Sequence, residues 1–338
     1  MGKRRARKAL LRFSMTPVPE SVGASKKRAQ ALMTSREGSG ADKLRPGAKV
    51  PSRVLSIEPA RSRWHADELA AEEPLEIRLT GDGWSRTLSL TMRTPGNDFE
   101  LVAGFLYAEG VVKTRQQLAA LRYCVGKETS QQYNVVSARL SPGVAPDFAV
   151  LQRNFYVTSA CGVCGKAGLD ALRLRGLRPP GAGPRVSAQT LFAAPQRLRA
   201  AQALFRSTGG LHAAALADTQ GRIIALREDV GRHNALDKLI GWALLNDNLP
   251  LADRIVLVSG RSSFDIMQKS LAAGAAIVCA VSAPSSLAVS LAQEFGMTLV
   301  GFLRDSRFNV YAGAERIVWN RGEAAAAAPH AAAGAASS

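Results

Sequence analysis

The pair Cys161-Gly-Val-Cys164-Gly is the part of this sequence whose residue types and spacing point most directly to chemistry. It follows a strand-like run, Asn154-Phe-Tyr-Val-Thr158, and precedes a helix-compatible segment, Ala167-Gly-Leu-Asp-Ala-Leu-Arg173. A CxxC pair between a strand and a helix puts both sulfurs near the backbone N–H groups of a helix start. That positive end favours thiolate over thiol. Bringing a thiol pKa down to about 7 raises its thiolate fraction from a few per cent to half. The flanking glycines leave room for a bulky partner, and Lys166 adds a nearby cation. Several chemistries compete for this pair. A structural half zinc site needs two more ligands, yet there is no second CxxC, and His212 and His233 stand elsewhere in the pattern. A cytosolic dithiol–disulfide oxidoreductase of the thioredoxin kind is the alternative, but no compact βαβ unit surrounds the motif. Inert structural cysteines fit least, because glycine on both sides argues for exposure.

Two further loops have anion-binding chemistry. Gly231-Arg-His-Asn234 and Ser259-Gly-Arg-Ser-Ser263 each follow a strand-like run and open a helix-like one. Glycine beside cationic and hydroxyl side chains at a helix start makes a phosphate cradle. Ordinary helix capping by Asn234 or Ser262 is the competing reading. His212, after Gly209-Gly210, reads as a packed or hydrogen-bonded histidine rather than a ligand.

These residues need elements to hold them. Pro74 to Thr80 and Arg86 to Met92 alternate in polarity around Gly81-Asp-Gly83, the pattern of a β-hairpin. Asn97 is placed to cap a helix that carries Phe99, Val102, Phe105 and Leu106 and ends near Gly110. Strand-like runs around Arg122–Val125 and Tyr133–Leu140 complete an α+β region. Beyond the cysteines, a helix is expected from Ser187 to Phe205 despite Pro195. Strands Leu211–Ala217 and Arg222–Leu226 follow around a Thr-Gln-Gly turn. Then come helix Asn234–Leu245, strand Arg254–Val258, helix Ser262–Ala273, strand Ala276–Val281, helix Ser285–Phe295 and strand Thr298–Leu303. Alternation at this spacing implies an α/β sheet covered by helices on both faces. The order of helix, two strands and three helix–strand pairs is similar to the cytidine deaminase-like fold, a three-layer α/β/α arrangement. The expected divisions are a disordered basic extension over 1–60, an α+β region over 61–150, the three-layer domain over 151–320, and a low-complexity tail over 321–338.

The chain has 338 residues and 46% apolar content, ordinary for a globular protein with a sizeable core. Its net charge is +17, but residues 1–50 hold 13 Lys/Arg against 3 Asp/Glu and account for +10 of it. The excess therefore sits in a Ser-, Gly- and Pro-rich arm without periodicity, a solvated tail rather than a nucleic-acid surface. Met15 and Met33 are alternative starts. No run reaches the roughly 20 apolar residues of a membrane span, and no apolar segment follows the basic N-terminus as in a signal peptide. Four scattered cysteines do not make a disulfide framework. A cytoplasmic location is expected, with neither nucleic acid nor membrane as partner.

Six runs in consistent order carry a specific resemblance. They are Met92-Arg-Thr-Pro-Gly-Asn-Asp98, Thr158-Ser-Ala-Cys-Gly-Val-Cys-Gly165, Asp229-Val-Gly-Arg-His-Asn-Ala-Leu-Asp-Lys238, Ser259-Gly-Arg-Ser-Ser-Phe-Asp265, Val281-Ser-Ala-Pro-Ser285 and Gly301-Phe-Leu-Arg-Asp-Ser-Arg-Phe-Asn309. Together, over roughly residues 70–315, the chain resembles the FdhD/NarQ family of formate dehydrogenase accessory sulfurtransferases. That resemblance implies a sulfur relay. A cysteine desulfurase donates persulfide sulfur to the CxxC loop. The carrier passes it to the molybdenum of bis-molybdopterin guanine dinucleotide, bound as cargo, before insertion into the formate dehydrogenase catalytic subunit. By motif position Cys161 carries the persulfide and Cys164 is a relay or resolving thiol. The family's cofactor-binding stretch falls on Phe302, Leu303, Arg304, Asp305, Ser306 and Arg307. Arg304 and Arg307 there suit phosphates, Asp305 a guanine edge, and Phe302 stacking. A homodimer is allowed and no resident metal is expected. Zinc-dependent deamination is rejected on chemistry: Ala235 stands where the catalytic Glu of H-x-E belongs, and Gly260 to Phe264 has no cysteine.

Overall fold

The computed structural model describes residues 47–124, 133–146, 148, 169, 170, 172, 173 and 176–319. Residues 1–46 and 320–338 lie outside the described residues, as do Cys161 and Cys164. The fold is mixed α/β.

The described chain opens with an antiparallel ribbon, β1 (Lys49–Glu58) and β2 (Arg61–Ala70), paired from Lys49↔Ala70 to Glu58↔Arg61. Disorder was expected up to residue 60, so residues 49–60 correct that boundary. The ribbon escapes sequence patterning because both its faces are largely exposed, which removes the apolar/polar alternation. Pro51 further disguises β1, and only an edge strand tolerates it.

β3 (Glu73–Gly81) and β4 (Trp84–Arg93) form the expected hairpin. With β5 (Leu118–Tyr123) and β6 (Val135–Leu140) they make a four-stranded sheet ordered β4-β3-β6-β5. Helix α1 (Asp98–Ala108) packs on it, and Leu75, Ile77, Leu79, Leu101, Val102, Leu106 and Val136 share the core. Asn97 occupies the N-cap position, but with φ 57° and no side-chain capping bond. Asp98 orders this turn instead: it accepts from Gly96 N at 3.2 Å and from the Arg93 guanidinium at 3.1 and 2.9 Å.

A short strand, β7 (Val186–Ser187), pairs parallel with a last one, β14 (Ile317–Val318). The second sheet has six strands in the order β13-β12-β11-β10-β8-β9. In chain order they are β8 (His212–Ala217), β9 (Ile223–Asp229), β10 (Ile255–Val258), β11 (Ile277–Ala280), β12 (Thr298–Gly301) and β13 (Asn309–Ala312). The three central strands β10, β11 and β12 are parallel, and their side chains are all buried. One face is covered by α2 (Ala188–Ala201), through Leu191, Ala194 and Leu198. The other is covered by α4 (Arg232–Leu245), α5 (Phe264–Ala272) and α6 (Ser286–Glu294), through Leu236, Ile240, Met267, Leu271 and Leu291. A short helix, α3 (Ala203–Thr208), leads from α2 into β8. The last parallel strand was expected to run to Leu303. It stops at Gly301 because Phe302 turns into the left-handed region at φ 51°. β13, which pairs antiparallel with β12, was not anticipated.

The two sheets are joined by helices α1 and α4, which cross in backbone contact. A Cβ on Gly104 would lie 1.8 Å from the Asp237 carbonyl oxygen, and one on Gly241 would lie 1.8 Å from that of Glu100. A buried polar weld lies beside this crossing. Lys238 is 1% exposed, pairs with Asp229 at 2.7 Å and donates to the Thr94 carbonyl at 2.8 Å. Asp229 in turn accepts from Thr94 N at 3.1 Å. The Met92–Asp98 and Asp229–Lys238 motifs, far apart in sequence, are thus one structure.

Candidate functional site

Parallel strands with helices following them leave their carboxyl ends as the natural ligand edge of an α/β sheet. Here three loops meet at that edge, 259–263 after β10, 281–285 after β11, and 302–307 after β12. Pairing continues past the strands and locks the loops together. Val281 N donates to Val258 O at 3.0 Å, Ser285 N to Ser262 O at 2.9 Å, Phe302 N to Ser282 O and Leu303 N to Ala280 O at 3.1 Å. The helix starts face the same edge. Ser263 caps α5 by accepting from Ile266 N, and Ser285 caps α6 by accepting from Ala288 N. Capping by Asn234 and Ser262, the competing expectation, is not what the structure shows. Gly231 occupies the N-cap of α4, while the Asn234 amide donates to Met92 O at 2.7 Å and Asp229 Oδ1 at 3.2 Å.

Arg232 and His212 join the edge from α4 and β8. A Cβ on Gly260 would sit 3.2 Å from His212 Nδ1 and 3.8 Å from Arg232 Cβ, so the Gly260 backbone packs closely on the His212 ring. Burial, then the Arg232 charge, lower the pKa of His212. Two donors here are buried without a partner among the described residues, Arg232 Nε and Ser262 Oγ. Buried polar groups rarely stay unsatisfied, and those that do mark places where a ligand or water completes the set. Arg261, Arg304 and Arg307 add exposed cations. Cations and helix starts gathered on one edge are the features that an anion needs.

Within the stretch 302–307, the side chains divide. Phe302 is 40% exposed and carries positive φ, an uncommon conformation for a bulky residue and one often found at functional sites. Leu303 is 1% exposed and packs in the core with Val300 and Cys279, so its side chain is structural and not open to a ligand. Arg304 donates to the Val281 and Leu303 carbonyls, and its N–H bonds to Arg307 O at 2.9 Å, closing a tight turn. Asp305, Ser306 and Arg307 are exposed on that turn.

A cavity of about 630 Å³ adjoins His212 and Ser259, walled by Leu198, Arg199, Phe205 and Gly210. Arg199 and Phe205 were not anticipated as site residues. Their helical segment carries no motif, and only the packing of α2 and α3 against the sheet brings them here.

His233 begins α4 and lies 3.2 Å from Ser263 Oγ and 3.7 Å from Asp265 Oδ2. Burial, then the charges of Arg232 and Lys269, push its pKa from 6.5 down to about 4. A histidine depressed on folding is neutral in both states above pH 6.5. As pH falls, the unfolded chain binds the proton first, so stability is lost between about 6.5 and about 4. Asp237, raised by burial to about 6, works in the opposite sense. We expect His233→Gln to flatten the acid limb of a melting-temperature profile relative to wild type; superimposable profiles would contradict this electrostatic picture.

Among the described residues no group of three or more His, Cys, Asp or Glu could hold a metal ion, and no helix is long and apolar enough to cross a membrane. The FdhD/NarQ family model matches residues 70–318, which contain both sheets, the carboxyl-edge loops and the cysteine motif. The chain belongs to the FdhD/NarQ family. It is 52% identical over 269 residues to the sulfur carrier protein FdhD of Streptomyces coelicolor, covering 78% of this chain and 94% of that protein. Against the sulfur carrier protein FdhD of Mycobacterium tuberculosis it is 53% identical over 271 residues, covering 78% and 96%. A solved structure described as a putative formate dehydrogenase accessory protein, from Desulfotalea psychrophila, superposes with a TM-score of 0.62. That match has 25% identity and covers 80% of this chain and 100% of the other. The N-terminal arm, with the basic excess of residues 1–50, falls outside the FdhD/NarQ match.

Proposed function

We propose that this FdhD/NarQ protein is a sulfur carrier for formate dehydrogenase that takes sulfur from a cysteine desulfurase and delivers it to a molybdenum cofactor. In this proposal the Cys161 thiolate attacks the outer sulfur of the desulfurase persulfide. A new S–S bond forms on Cys161, and the donor cysteine leaves as thiolate. Cys164 stands by as relay or resolving thiol. For delivery, a thiol, Cys164 or an external one, attacks Cys161 Sγ and closes a disulfide, so that the outer sulfur leaves as hydrosulfide with the two electrons of the thiol pair. The acceptor is the molybdenum of bis-molybdopterin guanine dinucleotide, held as substrate, which would take that sulfur in place of an oxygen ligand leaving as water.

The observation that carries this reading is the convergence of four of the six motifs, at 229–238, 259–265, 281–285 and 301–309, on one basic edge, where Arg232 Nε and Ser262 Oγ are buried with no partner among the described residues. A cofactor with two guanosine diphosphate arms brings phosphates that need cations and helix starts. Arg232, Arg304 and Arg307 suit the phosphates, Phe302 offers an exposed ring to the base, and Asp305 an acceptor for a guanine edge. The dithiol oxidoreductase alternative has no use for such an edge.

Two measurements test the proposal. Incubation with a cysteine desulfurase and cysteine should add about +32 Da to the intact protein, on Cys161. Calorimetry should show binding of guanosine diphosphate, with adenosine diphosphate weaker. Arg304→Ala or Arg307→Ala should each weaken it roughly ten- to hundredfold, the loss of one charged hydrogen bond at about 1.5–3 kcal/mol. Equal competition by adenosine diphosphate, or no binding at millimolar guanosine diphosphate, would remove the cofactor from this edge.

A further inference from the structure

A second cavity, of about 490 Å³, opens between β4 and the helices α1, α4 and α5 and has the opposite character to the basic edge. Its size is that of a small-ligand site. One side is apolar, formed by Ile77, Leu88, Leu90, Leu101 and Phe105. The other is polar and acidic, formed by Glu109, Asp237 and Asp265 with Lys269 and His233.

The charges in it do not balance. Lys269 places its ammonium between the two oxygens of Asp237, at 2.8 and 2.9 Å, and stands 5.6 Å from the Phe105 ring centre. It lies 3.8 Å from Glu109 Oε1 without a hydrogen bond to it. Glu109 is only 7% exposed, and its Oε2 is buried with no partner among the described residues. His233, held near pKa 4, brings no charge at neutral pH. Three carboxylates against one ammonium leave an excess of two negative charges on a protein whose overall charge is +17. Burial, with the Glu109 charge, raises the pKa of Asp265 against the pull of Lys269 and Arg232.

We propose that this cavity binds the cationic end of an alkyl chain, an ammonium or guanidinium group that pairs with Glu109 and Asp265 while its methylenes lie on Leu88, Leu90 and Phe105. An anion is refused by the charge excess, and a neutral apolar ligand leaves Glu109 Oε2 unsatisfied. An apolar wall facing an acidic floor matches the two-part character of lysine- and arginine-like groups. A basic side chain of a protein and a free small amine offer this same chemistry.

The test uses the full-length protein at neutral pH and calorimetry with three probes: n-butylguanidine, its neutral isostere n-butylurea, and arginine blocked at both termini. The cation should bind saturably and the urea should not. Glu109→Gln should weaken the cation by about tenfold or more, the loss of one charged partner. Should Glu109→Gln fail to fold by circular dichroism, Asp265→Asn, half-buried, is the second variant and should show the same loss. Tighter binding of blocked arginine than of butylguanidine assigns the cavity to a protein side chain, and the reverse to a small amine. The proposal is overturned if neither cation binds at millimolar concentration, which leaves the cavity to water. It is likewise overturned if the urea binds equally, or if the folded carboxylate variants bind as wild type does.

Discussion

Cys161→Ser is expected to abolish formate dehydrogenase maturation in a strain that depends on this protein, while leaving thermal unfolding unchanged. The effect should be total because the step has no substitute chemistry: a serine oxygen cannot accept a sulfane sulfur and release it again. The matching Cys164→Ser variant should hurt less or act at a different step, since only one sulfur need carry the cargo. Mass analysis separates the two roles. The adduct of about +32 Da should vanish from the Cys161 variant and persist on the Cys164 variant. Full complementation by Cys161→Ser would sink the relay, whatever the behaviour of the basic edge.

The largest effect on stability is expected where no chemistry occurs, at the crossing of α1 and α4. In Gly104→Ala the new methyl carbon would stand 1.8 Å from the carbonyl oxygen of Asp237. That oxygen belongs to a helix backbone, so no side-chain rotation can relieve the overlap and the helices must part. Overpacking of this kind costs about 1–3 kcal/mol, and more when backbone has to move. A loss of about 3 kcal/mol or more, or roughly 4–5 °C or more in Tm, should follow for a chain of this size. Gly241→Ala should behave alike, because its methyl meets the Glu100 carbonyl at 1.8 Å. Gly181→Ala is the control, since a Cβ there meets nothing within 4 Å. A Gly104→Ala protein that melts with the wild type would show that the helices do not cross so closely. Separation of these helices also disturbs Asp229, Lys238 and Thr94, so ligand binding at the basic edge should weaken in proportion.

Much of the fold was legible because local physics and tertiary demands agree in its second half. Each of β10, β11 and β12 is a short, mostly apolar run buried on both faces. β10 and β11 are each followed by a hydroxyl-capped helix, as Ser263 and Ser285 show. The ribbon β1–β2 was illegible for the converse reason: exposed on both faces, it has no face whose burial would impose a period. Leu303 was misjudged as part of a ligand stretch. Nothing in a linear motif tells that one of six neighbouring side chains turns inward after a residue at φ 51°.

What the sequence by itself determined is the chemistry available and its order along the chain: a CxxC pair, three loops with cationic and hydroxyl residues after strands, and the alternation that builds a covered sheet. Those follow from residue type and spacing, which fix backbone preference and reactivity locally. Only the tertiary structure decided which groups share a site and which are left wanting a partner. It placed Arg199 and Phe205 beside His212, and left Arg232 Nε and Ser262 Oγ without partners among the described residues at the basic edge. It also gathered Glu109, Asp237, Asp265 and Lys269 from three helices around one cavity. Burial and unsatisfied hydrogen bonds depend on what packs around an atom from elsewhere in the chain, and two glycines 137 residues apart in α1 and α4 set that packing here.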